Sequence, residues 1–188
     1  MKNILAFIAL LLFSGCASPT PNFYQPVAMK TADFHYTQIT DTILVKNILL
    51  PSEVSRPQIT TVGRQQYELH IDEFNRWGAT PDKLFQRIIA QDLSLYLPNA
   101  TIEVQTALKK NYKYAVSIEV NEMSGKLGKN AFLTAVYFLK NTQGITVHSG
   151  KINKTLSIQG GYDEYVLAQS ELLGYLSAHI ASDLAKLK

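Results

Sequence analysis

The fold is decided by three segments, which read YKYAVSIEV at residues 112–120, AFLTAVYFL at 131–139 and TVHSGKINKTLSI at 146–158. In the first segment, apolar and polar side chains alternate with a period of two, which is typical of a strand with one face in water. Polar turns that contain glycine join the segments at 124–130 and 141–144. The three segments therefore predict an antiparallel meander.

Two further segments, one on each side of this meander, have the apolar spacing of a helix. Thr80 can cap the first helix, and Pro81 suits its first turn, where a missing N–H costs nothing. An apolar stripe then continues at helical spacing as far as Pro98, and a second stripe follows Gly160 and Gly161 almost to the C-terminus. The stripes consist of Leu84, Phe85, Ile88, Ile89, Leu93 and Tyr96, and of Tyr165, Gln169, Leu172, Leu176, Ile180, Leu184 and Leu187.

Shorter strand signals precede the meander. Residues 43–50 are rich in Ile, Leu and Val, as in a strand buried on both faces, residues 58–62 are β-branched, and residues 67–72 alternate. A short strand is also expected at 102–104. Because no break in composition separates these segments, the sequence predicts a single α+β domain, with a mostly antiparallel or mixed β-sheet packed by two amphipathic helices.

The N-terminus has the features of a secretory signal peptide that ends at residue 15. A lysine at position 2 precedes ten apolar residues, 4–13, and the small pair Ser14-Gly15 precedes Cys16, the single cysteine of the chain. A transmembrane anchor is disfavoured, because ten residues of helix reach about 15 Å and a hydrocarbon core is about 30 Å thick. Residues 12–16, LFSGC, resemble the lipobox of bacterial lipoproteins, with Phe13 where leucine is usual.

This resemblance implies that Cys16 becomes the first residue of the mature protein and carries a diacylglycerol anchor. Several acyl chains hold a protein stably on a membrane. In Gram-negative lipoproteins, a residue other than Asp after the cysteine, here Ala17, implies the outer membrane and its periplasmic face. Residues 16–32 contain three prolines and predict an extended tether of up to about 50 Å, which leaves residues 33–188 as the folded domain.

The charge of the chain is small but unevenly distributed. The full sequence has a net charge of +3, and loss of Lys2 with the signal peptide leaves 17 basic against 15 acidic residues, too few to indicate nucleic-acid binding. Between residues 107 and 154, however, there are eight lysines and only two glutamates. This excess predicts either a solvated sheet face or a patch for anionic lipid headgroups or an acidic partner. The candidate patch comprises Lys109, Lys110, Lys113, Lys126 and Lys129.

Catalytic and metal-binding patterns are missing from the sequence. The four histidines, at 35, 70, 148 and 179, have no metal-binding spacing, and a single cysteine supplies neither an intrachain disulfide nor a thiolate metal cluster. There is no G-x-S-x-G motif, and residues 125–130, GKLGKN, lack the glycine and hydroxyl residue of a phosphate loop. We therefore expect no catalytic residues, no metal and no cofactor besides the lipid on Cys16. A Ser/His/Asp set assembled in three dimensions stays open.

The stretch 43–98 is the most distinctive part of the chain. It contains Leu50-Pro51, then SRPQI at 55–59, Arg76-Trp77, and a helix that closes in Leu97-Pro98. This pattern resembles that of the PqiC/YmbA-type lipoproteins, the ABC-type transport auxiliary lipoprotein family. Departures are Gly78, where alanine is usual, and Thr80 before the proline.

The resemblance implies a non-enzymatic periplasmic subunit, anchored to the outer membrane, of an MCE-type intermembrane lipid-transport system. Its partner would be an MCE-domain protein, whose conduit it would dock or position, and a homo-oligomeric ring would suit that role. The alternative is an envelope-assembly or structural lipoprotein that binds another outer-membrane or cell-wall protein.

Five residues of this motif are candidates for the interface: Arg56, Pro57, Gln58, Arg76 and Trp77. Arginine and tryptophan are enriched in binding hot spots, and proline holds the residue before it in an extended conformation. The alternative is structural, with Trp77 in the core beside the helix start and the arginines paired with Asp72 or Glu73.

Overall fold

Eight strands and two helices make up the part of the chain that the structure, a computed structural model, describes: residues 19–106, 108 and 111–187. The predicted signal peptide, Cys16, Ala17, Lys109 and Lys110 lie outside these residues. The elements are β1 (Asn22–Tyr24), β2 (Thr42–Val45), β3 (Gln58–Val62), β4 (Leu69–Trp77), α1 (Pro81–Tyr96), β5 (Thr101–Val104), β6 (Tyr114–Lys126), β7 (Asn130–Lys140), β8 (Thr146–Ser157) and α2 (Tyr162–Lys186).

The larger of two sheets has the strand order β5-β2-β6-β7-β8. Its last three strands form the predicted antiparallel meander, in which Val116 pairs with Leu139 and Tyr137 with Gly150. β2 runs parallel to both of its neighbours, so the sheet is mixed. The strand expected at 43–50 is shorter than predicted, because after Val45 the chain returns to the sheet only at a single bridge between Leu49 and Glu119.

Both helices pack on the larger sheet and close the core. The apolar stripe of α1 is buried as predicted, and the α2 residues Leu172, Leu176 and Ile180 are inaccessible to solvent. Pro81 begins α1 as expected, although the Thr80 side chain makes no capping hydrogen bond. These elements confirm the α+β class. Within the described residues, neither helix combines the length and apolarity needed to cross a membrane.

The smaller sheet has the order β1-β4-β3 and contains a bulge. β3 and β4 are antiparallel, but the register shifts between Gln58, opposite Arg76, and Thr60, opposite Ile71. The extra residues of β4 are held by the Asp72 carboxylate, which accepts the Phe74 and Asn75 amides at 2.7 and 2.8 Å. This side-chain brace gives the bulge a fixed shape.

The second part of the predicted tether, residues 22–32, is packed against the domain and is not an extended linker. β1 pairs in parallel with β4, and the chain then crosses the helices, where the Met29 amide donates to Asp92 Oδ1 at 2.8 Å and the Thr31 amide to the Tyr96 hydroxyl at 2.7 Å. The Val27 amide donates to the Ser170 hydroxyl of α2 at 3.1 Å. Residues 22–32 therefore belong to the packed structure, because side chains of both helices accept hydrogen bonds from their backbone. Asn22 follows Cys16 by six positions, a reach of about 20 Å.

Candidate functional site

The two halves of the sequence motif meet on the smaller sheet. Gln58 and Arg76 are opposite each other in β3 and β4, and the Trp77 amide donates to the Pro57 carbonyl at 2.7 Å. Residues about twenty positions apart in the sequence thus form one cluster. The motif residues therefore lie together in the structure, but some of their side chains are buried and others are exposed.

Trp77 lies in the core. Its side chain is 5% exposed, and its ring meets that of Phe85 edge to face, with 5.4 Å between centroids. Phe85 comes from the first turns of α1, so this contact fixes the smaller sheet against the start of that helix. The ring is not presented to a partner, and the structural alternative applies to this residue.

Arg76 and Gln58 share one carboxylate at the surface. The Arg76 guanidinium donates to Glu73 Oε2 at 3.0 Å and to the Glu73 carbonyl at 2.8 Å, and Gln58 Nε2 donates to the same Oε2 at 3.2 Å. Such a partly solvated pair adds little to stability. Its effect is to hold three polar side chains in one arrangement on the sheet.

Arg56 differs from the pairing that the sequence suggested. Within the described residues its guanidinium makes no ion pair with Asp72 or Glu73, and its buried Nε lacks a hydrogen-bond partner. Pro57, the next residue, is exposed. Buried polar groups are normally satisfied, so the Arg56 Nε is an exception to this rule.

Two exposed phenylalanines are neighbours of the Gln58–Glu73–Arg76 cluster in the strands, since Phe23 pairs with Arg76 and Phe74 follows Glu73. Phe23 is 66% exposed and is the cross-strand partner of Arg76 in β1, so both side chains lie on the same side of the sheet as Gln58. Phe74, at the bulge, is 43% exposed. We define these five residues, Phe23, Gln58, Glu73, Phe74 and Arg76, as the motif face. The sequence did not indicate Phe23 or Phe74.

A residue of α2 also holds the bulge that contains Phe74. The Tyr162 hydroxyl donates to Asp72 Oδ2 at 2.9 Å. Partial burial alone would raise the pKa of Asp72, but hydrogen bonds from Phe74, Tyr162 and Asn75 outweigh burial and hold this pKa below its usual value. Asp72 therefore stays ionised at neutral pH and keeps bracing the bulge.

The predicted lysine patch is divided between the two ends of β6. Lys113 lies just before the strand, where its ammonium binds Asp41 at 2.9 Å, whereas Lys126 ends the strand and Lys129 follows it. β6 has 13 residues, so its ends are about 40 Å apart. Because alternation along one strand carries no information about which distant residues approach it, the sequence grouped lysines that the fold separates.

At the far end of β6, Lys126 and Lys129 are joined by Arg64, which the sequence did not single out. These three residues line a cavity of about 300 Å³ together with Val62, Gln66, Asn130 and Phe132. Arg64 belongs to the β3–β4 turn and is far from both lysines in sequence. We call this site the basic groove.

Two of the histidines lie next to aspartates, as the histidine of a catalytic triad would. His148 Nε2 lies 2.8 Å from Asp183 Oδ2, and this carboxylate also binds the Tyr137 hydroxyl and Lys186. His70 Nε2 is 3.7 Å from Asp72 Oδ2. Among the described residues, neither histidine has a serine hydroxyl as partner, and no three His, Cys, Asp or Glu side chains are grouped to hold a metal.

Comparison with known proteins places this arrangement in a family. The model of the ABC-type transport auxiliary lipoprotein component matches residues 24–181. Among curated proteins, none matches the chain significantly.

Solved structures show the same fold at low identity. An uncharacterized protein shares 16% identity, with a TM-score of 0.69 over 88% of this chain and 99% of its own. A protein of Xanthomonas campestris shares 14%, with a TM-score of 0.69 over 87% and 94%. The PelC dodecamer of Paraburkholderia phytofirmans shares 14% over 86% and 94%, at a TM-score of 0.47 that is too low to support an inference. The family model covers most of the chain, including both halves of the motif, and the chain therefore belongs to the ABC-type transport auxiliary lipoprotein family.

Proposed function

We propose that this protein is a non-enzymatic subunit of an MCE-type intermembrane lipid-transport system, anchored by Cys16 to the periplasmic side of the outer membrane. Its task is to dock the conduit-forming MCE-domain protein, and the motif face is the docking surface. Membership in a family of transport auxiliary lipoproteins supports an envelope protein that assists a transporter.

The observation that carries the docking role is the exposure of two phenylalanines next to a fixed polar cluster, Phe23 paired with Arg76 and Phe74 following Glu73 in β4. Aromatic side chains bring a large apolar area to an interface, and arginine supplies directional hydrogen bonds, which together are typical of binding hot spots. The bulge is braced by Asp72, so the face requires little ordering when a partner binds.

The position of this face also fits the proposed role. Phe23 follows Cys16 by seven residues, so the motif face lies within about 25 Å of the lipid anchor. A conduit that reached this face would end beside the outer membrane.

Site-specific crosslinking in cells tests the proposal. The photoreactive phenylalanine analogue p-benzoylphenylalanine is introduced at Phe74, or at Phe23 in a second strain, since both side chains are exposed and aromatic. The matched control is Ile145, in the turn between β7 and β8, which is also exposed. We expect adducts with an MCE-domain protein from positions 23 and 74 and none from position 145. Adducts only with cell-wall enzymes or porins would replace the transport role with the envelope-assembly alternative.

The anchor is tested separately with Cys16→Ser. Without the thiol no diacylglycerol can be attached, so we expect the protein to leave the membrane fraction on cell fractionation. Retention of the variant in that fraction would contradict the lipoprotein anchor, whatever the crosslinking result.

A further inference from the structure

The basic groove brings together three cations, Arg64, Lys126 and Lys129. Within the described residues, Arg64, Lys126 and Lys129 form no ion pair, whereas Lys113 and Lys186 each bind an aspartate. The Lys126 ammonium instead donates to the Arg64 carbonyl at 3.0 Å. Three positive charges around one cavity create a local field that favours an anion.

Hydrogen bonds within the two turns hold these cations in place. In the β3–β4 turn, Glu68 Oε2 accepts the Arg64 amide at 2.8 Å, and the Glu68 carbonyl accepts the Gly63 amide at 2.7 Å. In the β6–β7 turn, Asn130 Oδ1 accepts the Lys126 amide at 3.1 Å. Both turns are therefore fixed before any ligand arrives, which lowers the cost of binding.

A cleft lined by both apolar and acidic side chains continues from the basic groove. A second cavity of about 160 Å³ shares Val62, Gln66 and Phe132 with the first. Its other apolar lining includes Leu69 and Tyr67, and Tyr67 is 90% exposed. The two cavities thus adjoin, with the three cations at one end and both apolar and acidic side chains along the rest.

Acidic side chains set the orientation of an anionic ligand. Glu53, Glu68 and Glu122 line the second cavity but not the first. Of these, Glu68 is the one next to Arg64, and its Oε2 already accepts the Arg64 and Gln65 amides. A phosphate is repelled there and attracted to the Arg64 end, so the apolar part of an amphiphile would lie along Phe132 and Leu69. A ligand with a charged head and an apolar body fits this groove better than a free anion does.

We propose that the basic groove binds the phosphodiester headgroup of an anionic phospholipid, with its glycerol and first methylenes against Leu69 and Phe132 of the second cavity. Arg64, Lys126 and Lys129 would donate hydrogen bonds to the phosphate oxygens. The choice of a lipid as the source of the phosphate rests on the proposed lipid-transport function, whereas the preference for phosphate rests on the three cations.

Calorimetric titration of the full-length lipoprotein in a neutral detergent tests this inference. The probes are dihexanoyl phosphatidylglycerol, dihexanoylglycerol, which lacks the phosphate, and inorganic phosphate. We expect saturable binding of the phospholipid at one site per chain, weakened by added salt. We expect no saturable binding of dihexanoylglycerol, and binding of inorganic phosphate that is at least about tenfold weaker than that of the phospholipid, because it leaves the cleft empty.

The double variant Arg64→Gln/Lys129→Gln removes two exposed cations and leaves the Lys126 contact to the turn in place. Hydrogen bonds to charged groups are the stronger ones, so we expect at least about a tenfold loss of phospholipid affinity. The matched control Lys140→Gln lies at the opposite end of β7, about 35 Å away, and should bind as the unmodified protein does. Unchanged thermal unfolding of both variants establishes that they are folded.

The proposal is overturned if the double variant binds the phospholipid as tightly as the control, or if dihexanoylglycerol binds equally well. Inorganic phosphate that bound as tightly as the phospholipid would overturn the lipid as ligand. These results are independent of crosslinking at Phe74: a failed titration with intact crosslinks would remove only the headgroup site, and the reverse outcome would remove only the MCE partner.

Discussion

The helix layer and the smaller sheet use their polar and aromatic side chains in opposite ways. Between the helices, Asp92 is fully buried and both of its oxygens are occupied, by the Met29 amide and the Ser177 hydroxyl. On the smaller sheet, Phe23 and Phe74 are exposed and take no part in the core. The helix layer thus holds the fold together, and the smaller sheet keeps side chains available for binding.

Trp77→Ala should give the largest effect, because this residue joins the two regions. Removing a large buried aromatic side chain leaves a cavity beside Phe85, and we expect a loss of about 3–5 kcal/mol in the free energy of unfolding. Denaturant unfolding followed by circular dichroism measures it. A loss within about 0.5 kcal/mol of zero would mean that the ring does not pack against α1, and would return Trp77 to the interface candidates.

We expect the second-largest effect from Asp92, whose ionisation should make the free energy of unfolding depend on pH. Burial raises the pKa of Asp92 to about 7, although hydrogen bonds from Met29 and Ser177 oppose it. Between the unfolded pKa of about 3.9 and this value, the folded state keeps a proton that the unfolded state has lost. Ionisation therefore costs folding free energy, and stability should fall as pH rises from about 4 to 7, by at most about 1.4 kcal/mol per pH unit, and level off above pH 7.

Asp92→Asn isolates this contribution. The amide is uncharged at every pH, can still accept from the Met29 amide and can donate to Ser177. We expect the difference in unfolding free energy between the two proteins to change across pH 4–7 and to be constant above it. A difference that did not vary across this range would show that Asp92 ionises normally in the folded protein.

The sequence predicts the elements that depend on local patterns and misses those that depend on contacts between distant residues. The alternation at 112–120 and the stripe from Leu84 to Tyr96 are local, and both were confirmed as β6 and α1. The three-residue strand β1 is too short to have a detectable period, and its pairing with β4 connects residues more than fifty positions apart. The basic groove depends on Arg64 meeting Lys126 across a similar separation.

The motif face shows the same limit. The SRPQI and Arg76-Trp77 residues were found because each is a run of consecutive residues, and the structure brings the two runs together. The two exposed aromatics, Phe23 and Phe74, gave no signal of this kind, since a lone phenylalanine is usually a core residue. Only the parallel pairing of β1 places Phe23 opposite Arg76, and only the bulge braced by Asp72 sets the position of Phe74 in β4.

Phe74→Ala should have the smallest effect on the fold and a large effect on binding. The side chain lies on the bulge, three residues before Trp77, and its removal opens no cavity in the core, so we expect a change within about 0.5 kcal/mol in unfolding free energy. Hot-spot aromatics contribute about 2 kcal/mol or more to binding, so p-benzoylphenylalanine at Phe23 should capture much less MCE-domain protein when Phe74 is alanine. Undiminished capture would exclude Phe74 from the docking surface, and a large loss of stability would mean that the bulge belongs to the core. A stable variant with reduced capture would support the division between the two regions, because Trp77 and Phe74 lie on the same strand and would have separate roles.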